Sequence, residues 1–150
     1  MAQIEKAVSK TQQEAAFSVR RAVFVKEQQV DRDLEFDEHE ASSSHFLAVD
    51  DSGQPCGAAR WRMTENGVKL ERFAVLSTHR RQQIGSALMA AVLQDVQQDE
   101  SARDQRMYLH AQVDAVPLYA KFGFTPVGDE FMEADILHQA MECQPRGDGP

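Results

Sequence analysis

From Lys10 to Gln28 the apolar residues Ala15, Val19, Ala22 and Val23 recur three and four apart, the spacing of an amphipathic helix. Thr11 and Glu14 stand at capping-box spacing at its start, so each can satisfy an orphan donor. Before it, IEKAVS reads as a first strand. HFLAVDDSGQPCGAARWRM reads as two strands joined by a DSGQP turn. Asn66–Gly67 makes a second turn, into the strand VKLERFAVL. Ile84, Leu88, Val92 and Val96 mark a second helix, and MYLHAQ is a short strand. DAVPLYAKFGF is a short helix, with Asp114 as its cap, Pro117 in its first turn and Gly123 as its stop. GFTPVGDEF and ILHQAMEC read as closing strands. The order β-α-β-β-β-α-β-α-β-β predicts one α/β domain with a mixed sheet.

The chain has 150 residues, enough for one domain with a real core. Its 42% hydrophobic and 27% charged residues fit a soluble globular protein. A net charge of −8 argues against a nucleic-acid partner, which needs a basic face. Cys56 and Cys143 lie far apart and match no metal spacing, so a reduced, cytoplasmic chain without a metal is expected. No apolar run reaches membrane-spanning length, and the N-terminus lacks a signal-peptide core. The domain is expected over residues 1–143, followed by a flexible tail at 144–150.

Two stretches break the plain picture. Residues 27–40, EQQVDRDLEFDEHE, carry seven acids and one arginine. A charge run of this kind is usually a solvated loop. If it is extended, Asp33, Glu35 and Asp37 fall on one side, where a cationic partner or Arg21 can relieve their repulsion. The second stretch is THRRQQIGSAL, residues 78–88, a basic turn between a strand and a helix. A helix N-terminus offers unpaired N–H groups and partial positive charge, so a glycine and two arginines there suit a phosphate. A solvated basic turn is an equal alternative on these residues alone. No Walker or dinucleotide glycine pattern occurs.

The basic turn, LERFAV before it and LYAKFGF after it resemble the GNAT superfamily of acyl-CoA N-acyltransferases. RRAVFVKEQQV, LEFDEHE, HFLAV, LHAQ and GDEFMEADILHQAM narrow the resemblance to its YjcF/ElaA-like subgroup. It covers nearly the whole chain. It implies a single-domain fold with a mixed, mostly antiparallel sheet of six to seven strands flanked by helices. It implies acetyl transfer from acetyl-CoA to a small amine, by direct attack in a ternary complex, with no membrane partner and with homodimers common. The family's pyrophosphate pattern [RQ]-x-x-G-x-[GA] falls on Arg80, Gln83 and Gly85, with glutamine at the position of the first glycine. The resemblance therefore assigns the phosphates to Arg80, Arg81 and the backbone of Gln82, Gln83, Ile84, Gly85 and Ser86. Phe73, Ala74 and Val75 would run along the pantetheine arm, with Val75 where the family's fourth strand splays.

The chemistry needs a neutral amine, a donor for the oxyanion and a proton or hydrogen bond for the departing thiolate. The resemblance makes Tyr119 the group at the thiolate, through a shared hydrogen bond or a lowered phenol pKa. It offers His110 or Glu71 as the base, with a salt bridge to Arg60 or Arg72 as the plain alternative for Glu71. Glu35 and Asp37 border the acceptor site, and His138 matches the subgroup without an assigned role. A CoA-binding sensor or interaction module that lacks turnover, and a protein-binding domain without cofactor, are the competing readings.

Overall fold

The computed structural model describes residues 2–145; the tail expected at 144–150 lies outside the described residues from 146 onward. The elements are β1 (Gln3–Lys6), α1 (Lys10–Arg20), α2 (Arg32–Glu35), β2 (Ser44–Val49), β3 (Pro55–Thr64), β4 (Gly67–Val75), α3 (Ile84–Gln98), β5 (Met107–Gln112), α4 (Val116–Ala120), β6 (Thr125–Pro126), β7 (Phe131–Glu133) and β8 (Ile136–Cys143). They build one mixed sheet in the order β1-β2-β3-β4-β5-β8-β6, with β7 also paired to β8. Among the described residues only β4 and β5 run parallel. Among the same residues this path has seven strands, as expected, and β7 adds an eighth on β8. Pro126, which has no N–H, and Gly128, at φ 72°, divide the closing segment into two short strands on β8.

Helix α3 covers one face of the sheet. Ile84, Leu88, Val92 and Val96 are all buried, as their spacing requires, beside Trp61, Leu70 and Leu109. Helix α1 covers the other face, against Leu47, Ala58 and Ala74. Its N-cap is Ser9, which forms a capping box with Gln12, so the box sits two residues before the expected Thr11–Glu14. Ser9 is the residue with extended backbone at the helix entry (φ −81°, ψ 159°), the conformation that lets a cap side chain reach back.

The helical path continues as a π-helix over Arg21–Glu27, closed by Gln28 N–H donating to Val23 O at 2.9 Å. The buried stripe is Ala16, Val19, Arg20, Val23 and Phe24, so Ala15 and Ala22 lie at its margin. α4 also starts differently from the sequence expectation. A 3-10 turn over Val113–Ala115 leads into it and Asp114 makes no cap, while Pro117 does fall in the first turn.

Gly67, at φ 122°, fixes the strand junction that shapes the site. A Cβ there would collide with the Arg106 carbonyl, which also accepts Val68 N–H at 2.8 Å. The close approach sets the start of β5 beside β4.

Candidate active site

Strands β4 and β5 share a ladder only at Val68–Met107 and Lys69–Tyr108. Beyond these pairs they diverge. A bulge adds to the separation: Arg72 takes φ 63°, and the β3–β4 register shifts between Ala58 and Arg60. A cavity of about 460 Å³ opens in the gap, with Leu70, Glu71, Arg72 and Phe73 on one side and Leu109 and His110 on the other. The splay thus begins after Lys69 rather than at Val75. The Val75 carbonyl accepts a bond from Arg80 Nε at 3.1 Å.

The basic turn lies where β4 ends and α3 begins. Arg81 and Gln83 are both left-handed, at φ 67° and 62°. Gln83 is the N-cap of α3 and makes no side-chain cap bond. The position where the family pattern has glycine is therefore one where glycine is sterically free. Gln83 adopts this left-handed path with some strain. The first bond recorded along the helix is Ala87 N–H to Gln83 O at 3.0 Å, so the N–H groups of Ile84, Gly85 and Ser86 lie in the unpaired first turn. Gly85 sits close to α4, since a Cβ would come within 3.3 Å of Leu118. Arg80 forms a two-bond fork with Glu27 at 2.6 and 2.7 Å. This turn, with its unpaired donors and left-handed trace, has the chemistry to hold a pyrophosphate.

Tyr119, on α4, lines the cavity and meets Phe73 edge-on at 5.9 Å. Among the described residues no group hydrogen-bonds its hydroxyl. Burial raises the phenol pKa, which corrects the expectation of a lowered one. The buried phenol is therefore protonated at neutral pH, with an O–H available to donate.

His110, on β5, faces the same cavity, and its Nδ1 lies 3.1 Å from Glu133 Oε1. His110 holds the Glu133 carboxyl below its usual range, against the opposing effect of burial. The ionised carboxylate only accepts, so Nδ1 carries a proton, and in the neutral ring Nε2 is then the nitrogen with the lone pair. His138 donates from Nδ1 to Ile136 O at 2.7 Å, places Nε2 3.7 Å from Glu133 Oε2 and stacks on Phe131. Glu133 was not legible as a site residue. It lies on the three-residue strand β7, and only the β7–β8 hairpin carries it to His110.

The acidic segment is not extended. α2 forms in its middle, and its carboxylates turn toward arginines. Glu35 binds Arg20 at 2.8 Å and Arg72 at 3.2 Å. Asp37 takes both terminal nitrogens of Arg60, at 3.0 and 2.8 Å. Glu40 binds Arg20 and Arg60 at 2.7 and 2.9 Å. The partners of these acids are thus Arg20, Arg60 and Arg72, and Arg20 is 1% exposed. Arg21 instead lies over the Phe36 ring at 5.5 Å. Glu71 accepts from Arg60 and Arg62 at 2.7 and 2.6 Å. Burial pushes its pKa upward, but these cations overcome burial and hold it at about 2. A carboxylate so held is a weak base.

The structure therefore brings Tyr119, His110, Glu71, Phe73, Glu35 and Asp37 to one cavity. Ala74 is buried under α1, and residues 80–86 occupy the neighbouring turn. Among the described residues, no group of three or more His, Cys, Asp or Glu side chains could hold a metal ion. No described helix is long and apolar enough to cross a membrane.

A splayed parallel pair beside an open helix N-terminus is the frame of an acyl-CoA-dependent acyltransferase. Residues 6–145 match the family described as an acetyltransferase (GNAT) domain, and the chain belongs to that family. It is 43% identical over 127 residues to the uncharacterized N-acetyltransferase YjcF of Bacillus subtilis, covering 84% of this chain and 88% of that one. Solved structures that share the fold include the following two. An acyl-CoA N-acyltransferase from Pseudomonas aeruginosa matches at 27% identity and TM-score 0.79, over 95% of this chain and 98% of that one. Escherichia coli ElaA matches at 25% identity and TM-score 0.83, over 96% and 100%.

Proposed function

We propose that the protein transfers an acetyl group from acetyl-CoA to the amine of a small acceptor in a ternary complex. The observation that carries this reading is that the His110 ring and the Tyr119 phenol share one cavity, opened by the divergence of β4 and β5 beside the α3 N-terminus. Acetyl-CoA supplies an activated acyl carbon, so the reaction forms one C–N bond and breaks one C–S bond.

The turn residues Arg80 and Arg81 and the N–H groups of Gln82, Gln83, Ile84, Gly85 and Ser86 hold the pyrophosphate. The backbone of Phe73, Ala74 and Val75 guides the pantetheine arm, in the manner of an added strand. His110 Nε2 takes the proton that the amine gives up, and Glu133 stabilises the imidazolium that results. Tyr119 donates a hydrogen bond to the released sulfur. Its raised pKa makes it a stabilising donor rather than a full proton source, and the thiolate gains its proton on release to water. Glu71, Glu35 and Asp37 hold the arginines that shape the acceptor wall.

Titration calorimetry with acetyl-CoA, with wild type and the Arg80→Ala/Arg81→Ala double variant, followed by an amine panel, tests the reading. Binding that the double variant loses, together with acetylated product, is expected. Binding without product from any amine would leave a CoA-binding module instead.

A further inference from the structure

Three strands place a row of polar residues on the cavity side of the sheet. Arg62 on β3 is the register partner of Lys69 on β4, which in turn pairs with Tyr108 on β5. Two cations directly opposite each other repel. The anion beside them on β4 is Glu71. Arg62 Nε reaches its Oε1 at 2.6 Å, and Lys69 Nζ lies 3.5 Å from its Oε2. That carboxylate is shared, because Arg60 donates to the same Oε1 from Nε and Nη2 at 3.1 and 2.7 Å. Glu133 also attracts Lys69, but its Oε1 is engaged by His110.

Both terminal nitrogens of Arg62 consequently have no hydrogen-bond partner among the described residues. Arg62 and Lys69 line the cavity, with side chains 17% and 18% exposed. Of the carboxylates that line the cavity, Glu35 and Asp37 are each held by two arginines, and Glu38 is 86% exposed to water, 3.6 Å from His39. The wall therefore offers an open guanidinium fork and an ammonium to the acceptor. A guanidinium fork matches a carboxylate in two parallel bonds.

We propose that Arg62 and Lys69 form an anion subsite and that the acceptor is an amine carrying a carboxylate. This deepens the transferase reading and rests on it. His110 lies two residues past Tyr108 on β5, about 7 Å farther along the strand. That spacing suits a short amino acid, with its carboxylate at the Arg62–Lys69 row and its amine beside His110. It does not suit a polyamine, whose second cation would meet Arg62.

The experiment measures acetyl transfer from acetyl-CoA to glycine, β-alanine, γ-aminobutyrate, O-phosphoethanolamine, ethylamine, propylamine and spermidine. It uses wild type, Arg62→Gln and Lys69→Gln. Calorimetric titration with propionate in the presence of CoA runs beside it, since that needs no turnover. The amino acids are expected to exceed propylamine in kcat/KM by about tenfold or more, within the range of a charge-assisted pair. Arg62→Gln should close the gap mainly through the acceptor's KM, with the KM for acetyl-CoA unchanged. Equal or better use of propylamine or spermidine by the wild type would overturn the proposal. A clear preference for O-phosphoethanolamine would overturn the carboxylate and assign a phosphate. If no amine is acetylated, the transferase reading fails and propionate decides the subsite. Binding weakened in Arg62→Gln upholds the subsite, and binding absent or indifferent to the change overturns it.

Discussion

His110 Nδ1 and Glu133 Oε1, 3.1 Å apart, join a strand of the splayed pair to the β7–β8 hairpin. The contact fixes which imidazole nitrogen keeps a lone pair. His110→Gly should lower kcat by about 10²- to 10⁴-fold, the usual share of a positioned base, with little change in the KM for acetyl-CoA. Added imidazole should restore part of the rate, which a purely structural role for His110 would not allow. Glu133→Gln still offers an acceptor oxygen and should cost less than Glu133→Ala. Steady-state kinetics of the three variants checks this order.

Tyr119 is buried, and its phenol is shifted upward. Tyr119→Phe should reduce kcat about tenfold to a hundredfold, corresponding to a lost hydrogen bond of about 1.5–3 kcal/mol to a charged group. Since the phenol stays protonated throughout a neutral to mildly alkaline assay, wild type and Tyr119→Phe should show the same alkaline limb. A limb that disappears in the variant would mean that the phenol ionises during turnover.

The Arg80–Glu27 fork is exposed, at 42% and 40% for the two side chains. A surface pair of this kind contributes at most about 1 kcal/mol. Glu27→Gln frees Arg80 for phosphate and should tighten acetyl-CoA binding by up to about fivefold. The gain should shrink as salt rises. Calorimetry at two ionic strengths measures both effects.

Gln83 holds a left-handed conformation that costs a side-chain residue about 1–2 kcal/mol. Gln83→Gly removes that cost but adds chain entropy in the unfolded state. A net stabilisation of about 0.5–1 kcal/mol is expected, with CoA affinity equal to or better than wild type. Urea melts and CoA titration of the variant check it, and a destabilised variant would show that the glutamine side chain supports the turn.

Glu71 should leave a signature in acid. Its folded pKa of about 2 lies below its ordinary 4.5, because Arg60, Arg62 and Lys69 outweigh burial. A depressed carboxylate contributes stability that is complete above pH 4.5 and is lost as pH falls through about 2. The melting temperature should therefore fall across that window, and Glu71→Gln should be less stable than wild type at neutral pH with a shallower acid decline. Calorimetric scans of both proteins over this range make the comparison.

The sequence by itself determined most of the elements and marked the turn proposed for the cofactor. Ile84, Leu88, Val92 and Val96 are buried because a 3.6-residue period leaves them no other face. The strands around Asn66–Gly67 follow from turn chemistry, and the family pattern at Arg80–Ser86 rests on local backbone donors. Local rules left small errors in capping, at Ser9 and Ala115, because several polar residues compete for each helix end. Only the tertiary structure decided which charges are available. Seven acids in fourteen residues read as a solvated loop, or as a cation site if extended, yet Arg20, Arg60 and Arg72 reach them from other elements. Glu133 gained its place beside His110 in the same way, from 23 residues along the chain. Periodicity reports the environment of a backbone segment, whereas the partner of a charged side chain depends on register and strand order, which are fixed when the sheet closes.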